Sequence, residues 1–148
     1  MGIRGIIMRS VVNFVVALTF MGMASAAHAD DLPPDLKTKT DSFFTLLKKN
    51  DVPGAYDLLF QGTLMATQKV QDMQVLNTQT KSVLGFTGPI TGWELMSVKQ
   101  SAPSFTSARF IAKTDTLPLF FKFEFYKPRD TWTTYKVTYF DDISKVPE

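Results

Sequence analysis

The most constraining stretch of the chain is Leu119-Phe120-Phe121-Lys122-Phe123-Glu124-Phe125-Tyr126-Lys127. Its period of two marks a β-strand, and the alternation assigns its faces. Leu119, Phe121, Phe123 and Phe125 point one way, and Phe120, Lys122, Glu124 and Tyr126 the other. Four bulky apolar side chains on one face must be covered by another layer of the same chain. The rest of the sequence therefore has to supply both neighbouring strands and a lid.

Strand-like segments flank this one. A first strand is predicted over Ile90–Gln100, a second over Phe105–Thr114, and a fourth over Trp132–Phe140. The connections Ser101–Ser104, Asp115–Pro118 and Pro128–Asp130 are short, which makes the four strands an antiparallel meander. Ala108, Phe110 and Ala112 join the inner face, with Arg109, Ile111 and Lys113 opposite. A four-residue turn at 115–118 sets Thr114 against Leu119 and Arg109 against Glu124. A three-residue turn at 128–130 sets Phe123 against Tyr135 and Phe121 against Val137, which places Tyr135, Val137 and Tyr139 inside. A one-residue slip would reverse these faces.

The lid lies upstream of Gly85, where apolar residues follow helical spacing. One helix is expected over Pro34–Lys49, with Pro34 in its first turn, Asp35 at its positive end and Lys48-Lys49 at its negative end. Leu36, Thr40, Phe43, Phe44 and Leu47 share one face, and Asn50 closes it. A short second helix starts at Pro53 and ends before Gly62. A third runs from Thr67 as N-cap to Gly85 as its terminator, burying Val70, Met73, Leu76, Thr80, Val83 and Leu84. The expected fold is α+β, with three N-terminal helices on one face of a curved four-stranded antiparallel sheet.

The first 29 residues read as a secretory signal peptide. Arg4 and Arg9 precede an apolar run from Ser10 to Ala24, and Ala27-His28-Ala29 places small residues at a cleavage site. A start at Met8 would still leave Arg9 ahead of that run. The uninterrupted apolar stretch is shorter than the roughly 20 residues that span a bilayer, and no later segment is apolar enough to do so. No Cys follows the site to carry a lipid. Cleavage leaves residues 30–148 as one domain in the periplasm or outside the cell.

Export also changes the charge. Of 16 basic residues, Arg4 and Arg9 leave with the signal, so 14 remain against 14 acidic ones. The only His leaves too, and the chain has no Cys. The exported domain is formally neutral, without thiol or imidazole. This excludes thiol nucleophiles, imidazole bases and zinc sites built from nitrogen or sulfur ligands. No glycine-rich phosphate loop or calcium loop is present, so no cofactor or metal is expected. Balanced and scattered charge argues against nucleic-acid binding.

Two segments carry a family resemblance. Pro118-Leu119-Phe120-Phe121-Lys122-Phe123-Glu124-Phe125-Tyr126-Lys127-Pro128-Arg129-Asp130-Thr131-Trp132, ending in Phe140-Asp141-Asp142, resembles the last hairpin of small secreted bacterial members of the nuclear-transport-factor-2-like (cystatin-like cone) superfamily. Asn50-Asp51 before Pro53-Gly54-Ala55-Tyr56 resembles their helix 1–helix 2 junction. The resemblance implies a cone whose sheet wraps a pocket, and it brings no catalytic motif. The superfamily includes enzymes, binding domains and dimerisation modules, so the fold does not choose a function.

The expected reading is a non-catalytic module that binds an apolar small molecule or a protein partner through an aromatic-rich sheet and pocket. Eleven Phe, four Tyr and two Trp remain after export. Tyr56, Trp93, Phe110, Phe121, Phe123, Tyr135 and Tyr139 are the candidate pocket lining. Phe120, Tyr126 and Trp132 are the candidate interface on the outer face, where a homodimer through the sheet is expected. A second reading, implied by isomerases of the superfamily, is an Asp/Tyr-dependent isomerase or lyase. It needs a carboxylate from Asp57, Glu94 or Glu124 inside the cone, beside Tyr56, Tyr135 or Tyr139. A third is an inhibitor or immunity-type protein.

Overall fold

A computed structural model describes residues 31–148. The expected signal peptide, with Arg4, Arg9 and His28, lies outside the described residues. Four helices precede a four-stranded antiparallel sheet, and the fold is α+β as expected.

Helix α1 (Pro34–Lys48) starts on a proline and buries Leu36, Thr40, Phe43, Phe44 and Leu47. It ends at Asn50, which holds φ 62°. The Asp51 and Asn50 amides donate to the Leu46 and Leu47 carbonyls, both at 2.9 Å. This is a Schellman ending, with Asn in the left-handed position more often filled by glycine. Asp51 then caps α2 (Val52–Phe60), accepting from the Gly54 amide at 3.0 Å. One junction thus stops α1 and starts α2 within two residues.

The expected third helix is two. Helix α3 (Leu64–Gln68) breaks at Lys69, and α4 (Val70–Thr87) follows. Gly85 lies inside α4. The terminator is Gly88, at φ 88°, whose amide donates to the Leu84 carbonyl. Pro89 explains the choice: it disfavours helical geometry at residue 88 and so fixes where the helix ends.

Strands β1 (Ile90–Ala102), β2 (Phe105–Thr114), β3 (Leu119–Tyr126) and β4 (Thr133–Phe140) lie in the order β1-β2-β3-β4. The inner faces of β2 and β3 match the alternation, but the register between them differs by two residues. Ala112, not Thr114, lies opposite Leu119, and Arg109 opposite Lys122. The turn is longer than expected because Thr114 closes it with its side chain, bonding both the Leu117 carbonyl and amide. Thr116 ties it to the end of α4 through the Thr87 carbonyl. The expected Arg109–Glu124 pair is absent. Arg109 Nε donates to Ser97 Oγ at 2.7 Å, and Glu124 lies 3.7 Å from Lys122.

Strand β4 carries the larger correction. Phe123 pairs with Val137 and Phe121 with Tyr139, with an irregularity between Glu124 and Phe125. Tyr135 is the extra residue of that bulge. A bulge sets two residues of one strand against one of the other, so Tyr135 leaves the inner face while Thr134 and Val137 stay buried. The Thr134 hydroxyl donates to the Leu59 carbonyl at 2.7 Å, joining β4 to α2.

The chain returns over the outer face of the sheet after β4. Asp142 caps a short 3-10 turn, Ile143–Lys145, and Val146 is buried. Lys122 Nζ donates to the Glu148 carbonyl at 3.4 Å. No helix among the described residues is long and apolar enough to cross a membrane.

Candidate functional site

The interior of the cone is filled. Phe43 and Phe44 from α1 project between the helices and the sheet. Phe43 lies 5.3 Å from Tyr56, 5.9 Å from Phe121 and 5.4 Å from Phe123, each edge-on. Phe44 stacks on Trp93 at 5.4 Å and meets Phe110 at 5.3 Å. Along β3, Phe121, Phe123 and Phe125 stack in sequence. These separations are those of aromatic contacts in close-packed interiors. Tyr56, Phe110, Phe121 and Phe123 are at most 3% exposed. Four of the seven candidate lining residues therefore form a core, not the wall of a cavity.

Two others sit at its margins. The Trp93 Nε1–H donates to Asp41 at 2.9 Å, and Asp41 also pairs with Lys37 at 2.6 Å. Partial burial pushes the Asp41 carboxyl up, but the bonds from Lys37 and Trp93 outweigh it and hold the carboxyl below the usual aspartate value. Tyr139 is half-buried and tilts against Phe121 at 5.7 Å. The Tyr56 hydroxyl and that of Thr80 are hydrogen-bonded, 2.8 Å apart. Burial raises both phenols above their ordinary value, only partly offset by the bond to Thr80. They are neutral hydroxyls in a structural network, far from titrating near neutral pH.

The three carboxylates required for an isomerase do not reach this interior. Asp57 is exposed on α2. Glu94 is exposed and paired with Lys113 at 2.7 Å. Glu124 lies on the outer face beside Lys122. Among the described residues, the buried side chains include no carboxylate.

Open space with an apolar lining lies outside the cone, beside Leu47, Leu84 and Pro89 and, separately, between α3–α4 and β4. One arm, of about 500 Å³, is lined by Phe60, Met65, Lys69, Leu76, Lys136 and Val137 among others. A second arm, of about 460 Å³, continues past Leu64 to Tyr126, Pro128 and Thr133. Met65, Lys69 and Tyr135 belong to both, so the arms form one cleft. Taken together, the arms use five consecutive residues of β4, Thr133–Val137. A strand that offered one face would contribute alternate residues. The bulge at Tyr135 breaks that alternation, so both faces of β4 reach the cleft beside the strand's unpaired edge.

An aromatic corner adjoins the cleft. Tyr135 is 65% exposed, and its ring meets Phe105 edge-on at 5.9 Å. Phe105 lies opposite Tyr126, which is also exposed. Of the expected outer-face patch, Tyr126 alone is free. Phe120 is buried, because the chain after β4 returns over that face and Val146 is buried with it. Trp132 packs partly against the core, with the Lys127 ammonium 5.1 Å from its ring. The pair Phe105–Tyr135 replaces them.

The sequence does not single out Leu64, Met65, Lys69 or Phe105, and it marks Leu76 only as a core position. The one available signal is exposed apolar residues: Leu64, Val75 and Phe86 lie off the expected stripe, and Val70, expected to be buried on it, is 53% exposed because α4 only begins there. Among the described residues, no group of three or more acidic side chains is placed to hold a metal. Comparison of the chain with family models, curated proteins and solved structures finds no match in any of the three.

Proposed function

We propose that the chain is a non-catalytic, exported binding module, and that it binds at the cleft between α3–α4 and β4 and not inside the cone. The observation that carries this reading is the contrast between the two sites. Every large inward aromatic of β3 is packed against another ring, whereas the cleft presents Met65, Leu76 and Val137 beside unpaired polar groups. Its size and mixed lining suit a small apolar ligand or an apolar protein segment. Export is supported by the sequence of residues 1–29. The order of helices and meander supports placement in the nuclear-transport-factor-2-like superfamily, whose cones serve many activities.

Backbone amide mapping by NMR against a mixture of small apolar and aromatic compounds tests the site. The expected result is shifts at Met65, Leu76, Tyr135 and Val137. Shifts centred on Phe44, Phe110 and Phe123, with the cleft silent, would place binding in the cone and overturn the reading.

A further inference from the structure

We infer that the free edge of β4 accepts an extended, acidic peptide segment of a partner protein as a fifth strand. This rests on the cleft as the binding site and specifies its occupant. Strand β4 is the last in the sheet, and among the described residues no backbone group of Thr133–Phe140 bonds outside the β3 ladder. The Thr133–Val137 stretch of this strand lines a trough whose other side carries the apolar Met65 and Leu76. An added strand satisfies the edge with main-chain hydrogen bonds and sends alternate side chains into the trough. An acyl chain would fill the trough but leave those amides and carbonyls without partners.

Charge selects among peptides. Lys69 and Lys136 line the cleft, both are exposed, and neither belongs to an ion pair among the described residues. Asp72 is the only acid in the same lining. The surplus is positive, so a strand bearing Asp or Glu on its solvent side is favoured and a basic one is opposed. The same charges disfavour a second copy of this chain. Pairing β4 with its own copy would bring the Lys69 and Lys136 of both copies together. Lysines on an edge are one device by which natural sheets avoid self-pairing.

The test uses protein purified after export from the full-length sequence. It is titrated with a blocked octapeptide alternating Asp and Val, and separately with one alternating Lys and Val. The acidic peptide is expected to shift the amides of Thr133–Val137 and of Lys69–Gln79, with affinity falling as salt rises. The double variant Lys69→Glu, Lys136→Glu, altered only at exposed positions, should bind it roughly tenfold more weakly. That variant should gain binding to the basic peptide. If both peptides bind the unaltered cleft equally, the acidic-strand inference is wrong and the cleft remains the site. If neither binds while small apolar compounds still shift Met65 and Leu76, the inference fails and the site again stands. A doubled mass in native mass spectrometry that charge reversal abolishes would assign the edge to a second copy and overturn it.

Discussion

Replacing Phe123 with alanine should be among the most damaging single changes in the chain. Phe123 is fully buried and has five aromatic neighbours: Phe43, Phe44, Phe110, Phe121 and Phe125, at 5.4 to 6.2 Å. Truncation of a buried Phe to Ala costs about 3–5 kcal/mol when the surroundings cannot collapse. Here the neighbours come from α1, β2 and β3, each held by its own ladder or helix, so the upper half of that range applies. Natural domains are stable by only about 5–15 kcal/mol, so the variant should lie near the limit of folding. The milder Phe123→Leu should retain a clear transition, with a loss of about 1–2 kcal/mol. Urea unfolding followed by far-ultraviolet circular dichroism measures both, and an unchanged slope would locate the loss in the folded state. A loss below about 1 kcal/mol for Phe123→Ala would refute the reasoning, because a ring bordering an empty cavity has few contacts to lose.

Other expectations follow from single contacts. Thr134→Val removes the buried hydroxyl that serves the Leu59 carbonyl and should cost about 1–3 kcal/mol with little change in volume; a loss under 0.5 kcal/mol, on the order of a surface change, would show that the bond is dispensable. Asn50→Ala forces a Cβ residue without a local hydrogen-bonding side chain into φ 62° and should cost about 1 kcal/mol, whereas Asn50→Gly should be neutral or stabilising; equal losses in chemical denaturation would contradict this. The raised phenols of Tyr56 and Tyr139 make stability dependent on alkaline pH. Their folded values exceed the unfolded value of about 10, so their contribution is intact below pH 10 and is lost as pH rises toward the folded values. Unfolding midpoints should therefore fall above pH 10, and Tyr56→Phe should flatten that fall; an identical pH profile in the variant would remove Tyr56 from the account.

Much of the fold was legible because its signals are local. Strand β3 alternates without a break, and its face follows from that pattern alone. The Asn50-Asp51-Pro53 junction carries its own stop and start residues. What was not legible depends on contacts between segments. The β2–β3 register rests on the Thr114 side chain closing its turn and on Thr116 reaching the end of α4. Composition does not reveal the bulge at Tyr135, which moves one expected pocket residue to the outside. Burial of Phe120 depends on where the chain returns after β4. The candidate site is least legible of all. Its residues come from α2, α3, α4 and both sides of the last hairpin, and only their assembly brings Lys69 and Met65 to the edge of β4. The aromatic signal in the sequence was sound as a signal for packing, and most of those rings are spent on the core.

The inside of the cone is solid, and binding is expected outside it, at the cleft beside β4. A crystal pressurised with xenon tests the solid interior most directly, since xenon enters dry apolar cavities as small as those left by one deleted side chain. No xenon is expected between α1 and the sheet in the unaltered protein, and one site is expected there in Phe123→Ala or the more stable Phe123→Leu. Xenon density beside Phe44, Phe110 and Phe123 in the unaltered protein would contradict it.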